Sequence, residues 1–113
     1  MVTNKTLRAI YKAYNLALFD NQLPSIPIYV AELRKQGLRG FFSYSKNQKA
    51  KCILIDSKES ELWPQILLHE MCHVYYTSVL KRKQKVDHPP GFLRLLRSKY
   101  KKLGFTLLPE EKL

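Results

Sequence analysis

The chain has 113 residues, of which 45% are hydrophobic and 12% aromatic. This length and composition suit one compact domain over residues 1–113 and exclude a disordered tail. Twenty Lys and Arg against nine Asp and Glu leave a formal charge of +11, which predicts attraction to phosphate-rich or otherwise acidic partners. The longest wholly apolar run is four residues, which excludes a transmembrane helix. We therefore expect no membrane partner, and we expect a monomer.

Cysteine content and the N-terminal residues bear on the compartment. Cys52 and Cys72 are too few for a disulfide framework, so we expect a reducing, intracellular environment. The first nineteen residues carry three basic side chains and no acid, which suits a mitochondrial transit peptide, but we interpret them as the first helix of the domain. No secretory signal is expected. The predicted location is the cytoplasm or nucleoid, or the nucleus if the source is eukaryotic or viral.

The first half of the chain predicts one helix and three strands. Thr3 or Asn4 can cap a helix with apolar residues at 3.6-residue spacing, which should stop near Asp20-Asn21. Runs rich in β-formers then predict strands at 26–30, 41–44 and 52–55. Prolines punctuate the first run, so it should be an edge or first strand, whereas the third reads as a buried strand.

Two helices complete the predicted fold. The first of them should begin between residues 61 and 64, where a proline suits the first turn, and run to about Leu80. A basic loop leads to the last helix, at about residues 92–102, which has a clear apolar face. The order α-β-β-β-α-α predicts an α+β domain in which helices pack on a small three-stranded sheet.

An H-E-x-x-H motif, His69-Glu70-Met71-Cys72-His73, lies in the middle of the predicted second helix. Residues four apart lie on one helix face, so both imidazoles can bind a single Zn²⁺. Glu70 lies one position further round the helix and can reach a metal-bound water as general base. Two histidines could instead be ordinary polar core residues, but all three histidines of the chain fall within twenty residues, which favours zinc.

The third ligand distinguishes classes of zinc enzyme. Val79 stands where a metzincin would have its third histidine, so that class is excluded. A thermolysin-like site would need a downstream glutamate, and only Glu110 and Glu111 remain, in what we expect to be a frayed C-terminus. Asp87 is a possible oxygen ligand, although a hydrogen bond to a ligand is its more natural role. His88 is the best third ligand, and it leaves the fourth position open, as in a catalytic zinc site.

These residues resemble the SprT-like zinc metalloprotease family, whose eukaryotic relatives include Spartan. The resemblance covers roughly Leu7 to Phe105 and is carried by three segments. The first segment, Tyr14-Asn15 with Phe19-Asp20-Asn21-Gln22-Leu23-Pro24, is similar to the family's Phe-x-x-x-Leu-Pro turn after its first helix. The second, Leu67-Leu68-His69-Glu70-Met71-Cys72-His73, is similar to the family's Leu-x-His-Glu-Met-x-His helix. The third, His88 with Phe92, has the spacing of the family's His-Gly-x-x-Phe segment, but Pro89 replaces the glycine.

The resemblance implies a zincin-like single domain in which His69, His73 and His88 bind zinc and Glu70 is the catalytic base. It also implies hydrolysis of peptide bonds in proteins that are bound or crosslinked to DNA. Many members append a zinc ribbon or another DNA-binding module, for which this sequence has no cysteines left. The sequence is therefore similar to a bare catalytic core.

Nine basic residues and one acid lie between Lys81 and Lys102. Such a run is often only a solvated surface, but together with the total charge it favours contact with nucleic acid, through the phosphates and without sequence preference. The candidate DNA-contacting residues are Lys81, Arg82, Lys83, Lys85, Arg94, Arg97 and Lys101. We also expect a preference for single-stranded DNA, since aromatic residues can stack on unpaired bases.

Several other side chains have a structural and a functional interpretation. Trp63 and the aromatic residues of the second strand, Phe41-Phe42-Tyr44, could stack on bases, but core packing is the expected use of each. Tyr76 could polarise a substrate carbonyl, yet packing in the core or at the cleft rim is favoured. We expect Cys72 to be a small buried thiol.

We interpret the chain as a zinc endopeptidase that holds its substrate extended along a strand edge beside the active-site helix. The sequence does not identify the strand. Two alternatives stay open at this point. One is a non-proteolytic DNA-associated protein with a structural zinc, and the other is a regulatory peptidase that cuts one repressor.

Overall fold

Three helices and three strands make up the residues that the computed structural model describes, 2–83 and 88–111. In chain order they are α1 (Asn4–Leu18), β1 (Ile28–Ala31), β2 (Gly40–Tyr44), β3 (Ala50–Asp56), α2 (Trp63–Val74) and α3 (Pro90–Leu103). Short 3₁₀ turns occupy Arg34–Gln36 and Pro109–Glu111. The predicted α+β fold and its element order are confirmed.

The three strands form a mixed sheet in the order β1-β3-β2. β3 is central, pairs in parallel with β1 and antiparallel with β2, and contributes the fully buried Ile53 and Ile55. β1 is an edge strand, as its prolines predicted. The loop from β1 to β2 crosses the end of β3, where the buried Asp56 carboxylate accepts hydrogen bonds from the backbone N–H groups of Leu33 and Arg34. This contact fixes the loop that leads into β2.

The first helix begins where its sequence predicted and ends at Leu18, just before the predicted stop near Asp20-Asn21. The Thr3 hydroxyl accepts a hydrogen bond from the N–H of Thr6, as an N-cap does. Asp20 and Asn21 both adopt positive φ angles in the turn that follows α1. Buried Asn15 holds that turn, because its side chain bonds both the N–H and the carbonyl of Leu23 at 3.0 Å.

Helix α2 runs through the middle of the domain and contacts α1, α3, β2 and β3. Every residue from Gln65 to Val74 is buried, so this helix has no solvent-facing side. The core around it includes Leu7, Tyr11, Ile53, Ile55, Leu67, Met71, Phe92, Leu96 and Tyr100. Across the described ranges, each helix is too short or too polar to cross a lipid bilayer.

The end of α2 differs from the prediction of a regular helix as far as Leu80. The α-helix ends at Val74 and continues as a π-helical turn, Tyr75–Val79, in which the N–H of Leu80 donates to the carbonyl of Tyr75 at 2.9 Å. The turn is tied to the β2–β3 loop, since the Ser78 hydroxyl donates to the Gln48 carbonyl at 2.9 Å. Wide turns of this kind often occur beside functional sites.

Candidate metal centre

Helix α2 carries two histidines of the candidate metal centre on one face. His69 and His73 are separated by one helical turn, and their Nε2 atoms lie 3.1 Å apart. Both side chains are buried, at 9% and 7% exposure. Because α2 is surrounded by the core, its backbone fixes the two imidazoles relative to each other.

His88 completes the cluster from the start of the last helix. Its Nε2 atom lies 3.2 Å from Nε2 of His69. Pro89 has extended backbone angles and Pro90 is the first residue of α3, a position where proline is favoured. The two prolines therefore bring the chain from His88 directly into the helix, and the replacement of the family's glycine by Pro89 leaves His88 within the cluster.

The three imidazoles could hold a metal ion. Their ligand atoms lie within 4.8 Å of one another, and the Nε2 separations of 3.1 Å and 3.2 Å are close to the roughly 3.3 Å expected between nitrogen ligands of a tetrahedral zinc. The set contains nitrogen donors only and leaves room for a fourth ligand. Asp87, the alternative oxygen ligand, lies outside the described residues.

Phe92 packs against the imidazoles of the cluster. Its ring lies 4.0 Å from the His73 ring and 5.3 Å from the His88 ring, stacked on both at 13°. The ring is fully buried and sits one helical turn after His88 in α3. It therefore restricts the orientation of two candidate ligands from different parts of the chain.

Glu111 contacts the cluster from the C-terminal 3₁₀ turn, and the prediction of a frayed C-terminus is wrong for this residue. Its side chain is buried at 1% exposure, and Oε2 lies 2.5 Å from Nδ1 of His69. The Tyr100 hydroxyl donates to the same oxygen at 2.5 Å, and the backbone N–H of Leu108 donates to Oε1 at 2.7 Å. Glu111 bonds the nitrogen of His69 that faces away from the cluster, so it is a partner of a candidate ligand and not itself part of the cluster.

The same contacts determine the protonation states of Glu111 and Tyr100. Burial alone would raise the pKa of the Glu111 carboxyl, but the hydrogen bonds from His69, Tyr100 and Leu108 outweigh it and hold that pKa below its usual value. Burial, and then the hydrogen bond to Glu111, raise the pKa of the Tyr100 hydroxyl. At neutral pH Glu111 is a carboxylate and Tyr100 keeps its proton.

Glu70 lies in a cleft beside the three histidines. The cleft has a volume of about 830 Å³ and is lined by His69, Glu70, His73, His88, β2 with its preceding loop, and the C-terminal turn. A Cβ atom built on Gly40, the first residue of β2, would lie 2.9 Å from Oε2 of Glu70 and 2.7 Å from Cγ2 of Ile66. Only glycine fits here without displacing α2 side chains. Gly40 is a site residue that the sequence analysis missed.

A family model described as SprT-like matches residues 7–107. The chain belongs to the SprT-like family. This range agrees with the resemblance seen in the sequence and includes all three histidines and Glu70. The family is generally associated with metallopeptidase activity. No curated protein matches the chain significantly.

Four aromatic residues of this SprT-like domain have different environments. Phe42 is buried and Trp63 is partly buried against the core, as expected. Phe41 and Tyr44 are 44% and 43% exposed, so the expectation of core packing is wrong for both. Alternation along β2 explains Phe41, because Gly40 and Phe42 face α2 and the residue between them points to the other side.

Tyr76 and Cys72 have the structural environments that the sequence favoured. Tyr76 is 7% exposed and packs edge-on against Phe92, with ring centroids 6.1 Å apart. Cys72 is fully buried, and this burial strongly raises the pKa of its thiol. Neither observation gives these two side chains a part in the cleft chemistry.

The predicted nucleic-acid-contacting residues are exposed wherever the structure describes them. Lys81, Arg82 and Lys83 follow the π-helical turn, and Lys85 lies outside the described residues. Arg94, Arg97 and Lys101 recur at three- and four-residue spacing and therefore share one face of α3.

Lys99, which belongs to the basic run of the sequence, has a different environment. Its ammonium donates to the carbonyl of Leu18 at 2.5 Å and lies 4.9 Å from the centre of the Phe19 ring. Burial lowers its pKa, and Lys102 adds to that effect. Lys99 therefore stabilises the end of α1.

Proposed function

We propose that this SprT-like protein is a zinc-dependent endopeptidase that acts on proteins bound or crosslinked to DNA. The observation that carries the proposal is the convergence of His69, His73 and His88 beside Glu70 in one open cleft. A structural zinc site is usually closed by four protein ligands, whereas three imidazoles leave a position for water and substrate. The geometry therefore favours a catalytic centre over a zinc that only stabilises the fold.

The three histidines would hold the zinc through Nε2, and Phe92 and Glu111 would keep their rings in place. Zinc, when bound, makes a coordinated water acidic and polarises the scissile carbonyl. Glu70 would accept the proton of that water as general base and pass it to the leaving amine. Its carboxylate is only 7% exposed and borders the cleft, so little bulk water competes for it.

The substrate would bind in extended form along β2. This strand has β3 on one side and pairs with no other strand of the described residues. The N–H of Asp56 donates to the carbonyl of Arg39, so by antiparallel alternation the backbone groups of Gly40 and Phe42 point away from β3 and toward the open edge. A peptide added there would pass Glu70, which Gly40 contacts.

Charge and exposure support an association with DNA. The formal charge is +11, and two groups of exposed basic residues, Lys81–Lys83 and the Arg94, Arg97 and Lys101 face of α3, offer sequence-independent phosphate contacts. The exposed rings of Phe41 and Tyr44 support a preference for single-stranded DNA.

We further propose that the protein is a monomer in an intracellular compartment, at the bacterial nucleoid or in a nucleus. The free thiols of Cys52 and Cys72 support a reducing setting.

The test combines metal analysis with a cleavage assay. Purified protein loaded with one zinc equivalent is incubated with a DNA-binding protein substrate, with and without DNA, and with and without a chelator. The proposal predicts cleavage that needs zinc and that DNA accelerates. Zinc-dependent cleavage unaffected by DNA would point to a peptidase for a free protein. Tight zinc binding without cleavage of any DNA-bound substrate would favour the structural-zinc alternative.

A further inference from the structure

We propose that Glu111 is a positioning residue for the metal centre, and that through it the C-terminal segment 105–111 controls how tightly the three histidines hold zinc. This inference rests on the zinc site of the proposed function. It goes beyond that site by assigning a role to a residue outside the H-E-x-x-H helix. It also links segment 105–111 physically to the three histidines.

The first argument is the orientation of His69. A histidine that binds a metal almost always donates its other ring N–H to a partner, and that partner selects the tautomer and fixes the ring orientation. Nε2 of His69 lies 3.1 Å and 3.2 Å from Nε2 of His73 and His88. Nδ1 lies 2.5 Å from Oε2 of Glu111. A carboxylate can only accept a hydrogen bond, so Nδ1 carries the ring proton and the Nε2 lone pair is directed at the cluster.

The second argument is that the Glu111 carboxylate is itself fixed. It is 1% exposed, and a buried carboxylate persists only where hydrogen bonds compensate for its lost hydration. Tyr100 supplies one hydrogen bond to Oε2 and the Leu108 N–H supplies one to Oε1. With His69 as the third partner, the carboxylate has little freedom to rotate, and it transmits its own position to the imidazole.

The third argument is that the segment carrying Glu111 is anchored on both sides of the cleft. The Gln65 side-chain amide, at the start of α2, donates to the Thr106 carbonyl at 2.7 Å. Glu110 pairs with Arg39, just before β2, at 3.2 Å. Segment 105–111 therefore spans from the metal-binding helix to the strand that borders the cleft. Detachment of this segment would remove the partner of His69.

The experiment measures zinc affinity by competition with a chromophoric chelator at a temperature well below the unfolding of the metal-free protein. Glu111→Ala should weaken zinc binding by about 10- to 100-fold, the range typical for removal of an outer partner of a metal ligand. Glu111→Gln, whose amide oxygen can still accept a hydrogen bond from the Nδ1–H group of His69, should recover part of the affinity. Glu32→Ala is the matched control, because it removes the same charge from an exposed residue of the β1–β2 loop and should leave zinc affinity unchanged.

A second readout separates positioning from general stability. The visible spectrum of the Co²⁺-loaded protein reports the ligand geometry, and Glu111→Ala should alter it while Glu32→Ala should not. If Glu111→Ala does not fold, Tyr100→Phe removes only the hydroxyl bonded to Oε2 and should also weaken zinc binding, by a smaller factor.

Zinc affinity within threefold of wild type in folded Glu111→Ala, with an unchanged Co²⁺ spectrum, would overturn the proposal and leave the proposed peptidase intact. If only the Tyr100→Phe variant folds, the same unchanged values there would also overturn it. Weakened zinc binding in a protein that cleaves nothing would support the role of Glu111 and overturn the proposed hydrolysis. The two failures are therefore distinguishable.

Discussion

Gly40 and Glu70 are in direct contact where β2 passes α2: a Cβ atom on Gly40 would lie 2.9 Å from Oε2 of Glu70. This distance is shorter than real Cβ contacts allow, so any larger residue must displace the Glu70 carboxylate or the strand. The contact joins the proposed general base to the proposed substrate-binding edge.

Gly40→Ala should therefore reduce kcat/KM by about 100-fold, because a displacement of roughly 1 Å in a catalytic group has an effect of that size. Zinc affinity should stay at the wild-type value, since the atoms nearest to the added methyl group belong to Ile66 and Glu70 and not to the three histidines. Gly91→Ala is the matched control, because its Cβ would meet Tyr76 at an ordinary 3.4 Å. Full activity in Gly40→Ala would show that Glu70 and β2 do not cooperate as proposed.

His88→Ala should weaken zinc binding by at least about 100-fold, because only two imidazole ligands, His69 and His73, would remain. This effect is larger than the one expected when a hydrogen-bond partner of a ligand is removed. The measurement is competition with a chelator, and circular dichroism checks the fold. Asp87→Asn is the control variant and should keep wild-type zinc affinity. The reverse pattern, with zinc retained in His88→Ala and released in Asp87→Asn, would assign the third ligand to the aspartate.

Replacing Lys81, Arg82 and Lys83 with Gln should weaken DNA binding. The plot of log binding constant against log salt concentration should also become less steep, by roughly 0.9 for each contact with a duplex phosphate that is lost. The comparison variant replaces Lys5, Arg8 and Lys12 on α1 with Gln. These residues are also exposed, and the three substitutions remove the same amount of charge. Titration of single- and double-stranded oligonucleotides at several salt concentrations checks the prediction. Equal effects of both variants would indicate a general charge effect, and salt-insensitive binding by the wild type would contradict the proposed DNA contact.

The parts of the site that depend on local spacing could be predicted from the sequence. His69 and His73 lie on one helix face because they are four residues apart, and the amphipathic pattern of α3 likewise gives the exposed face of Arg94, Arg97 and Lys101. His88 could be predicted because the chain has few histidines. These inferences needed no knowledge of how distant segments pack.

The parts that depend on long-range packing could not be predicted in this way. His69 and Glu111 are separated by 42 residues in sequence, and their contact exists only because the chain returns after α3 to helix α2. Lys99 contacts Leu18 across 81 residues and so leaves the exposed basic set. A glycine within a β-rich run does indicate a close approach of another group, and that signal could have identified Gly40, although not its neighbour Glu70.

The most direct test of the account is a comparison of wild type with Glu70→Gln, each loaded with one zinc equivalent, on the same DNA-bound protein substrate. The amide cannot accept a proton from water, so kcat should fall by about 10²- to 10⁴-fold, while zinc affinity and the unfolding temperature stay at wild-type values. Cleavage by Glu70→Gln at the wild-type rate would contradict the account, because the proposed general base would then have no role in hydrolysis.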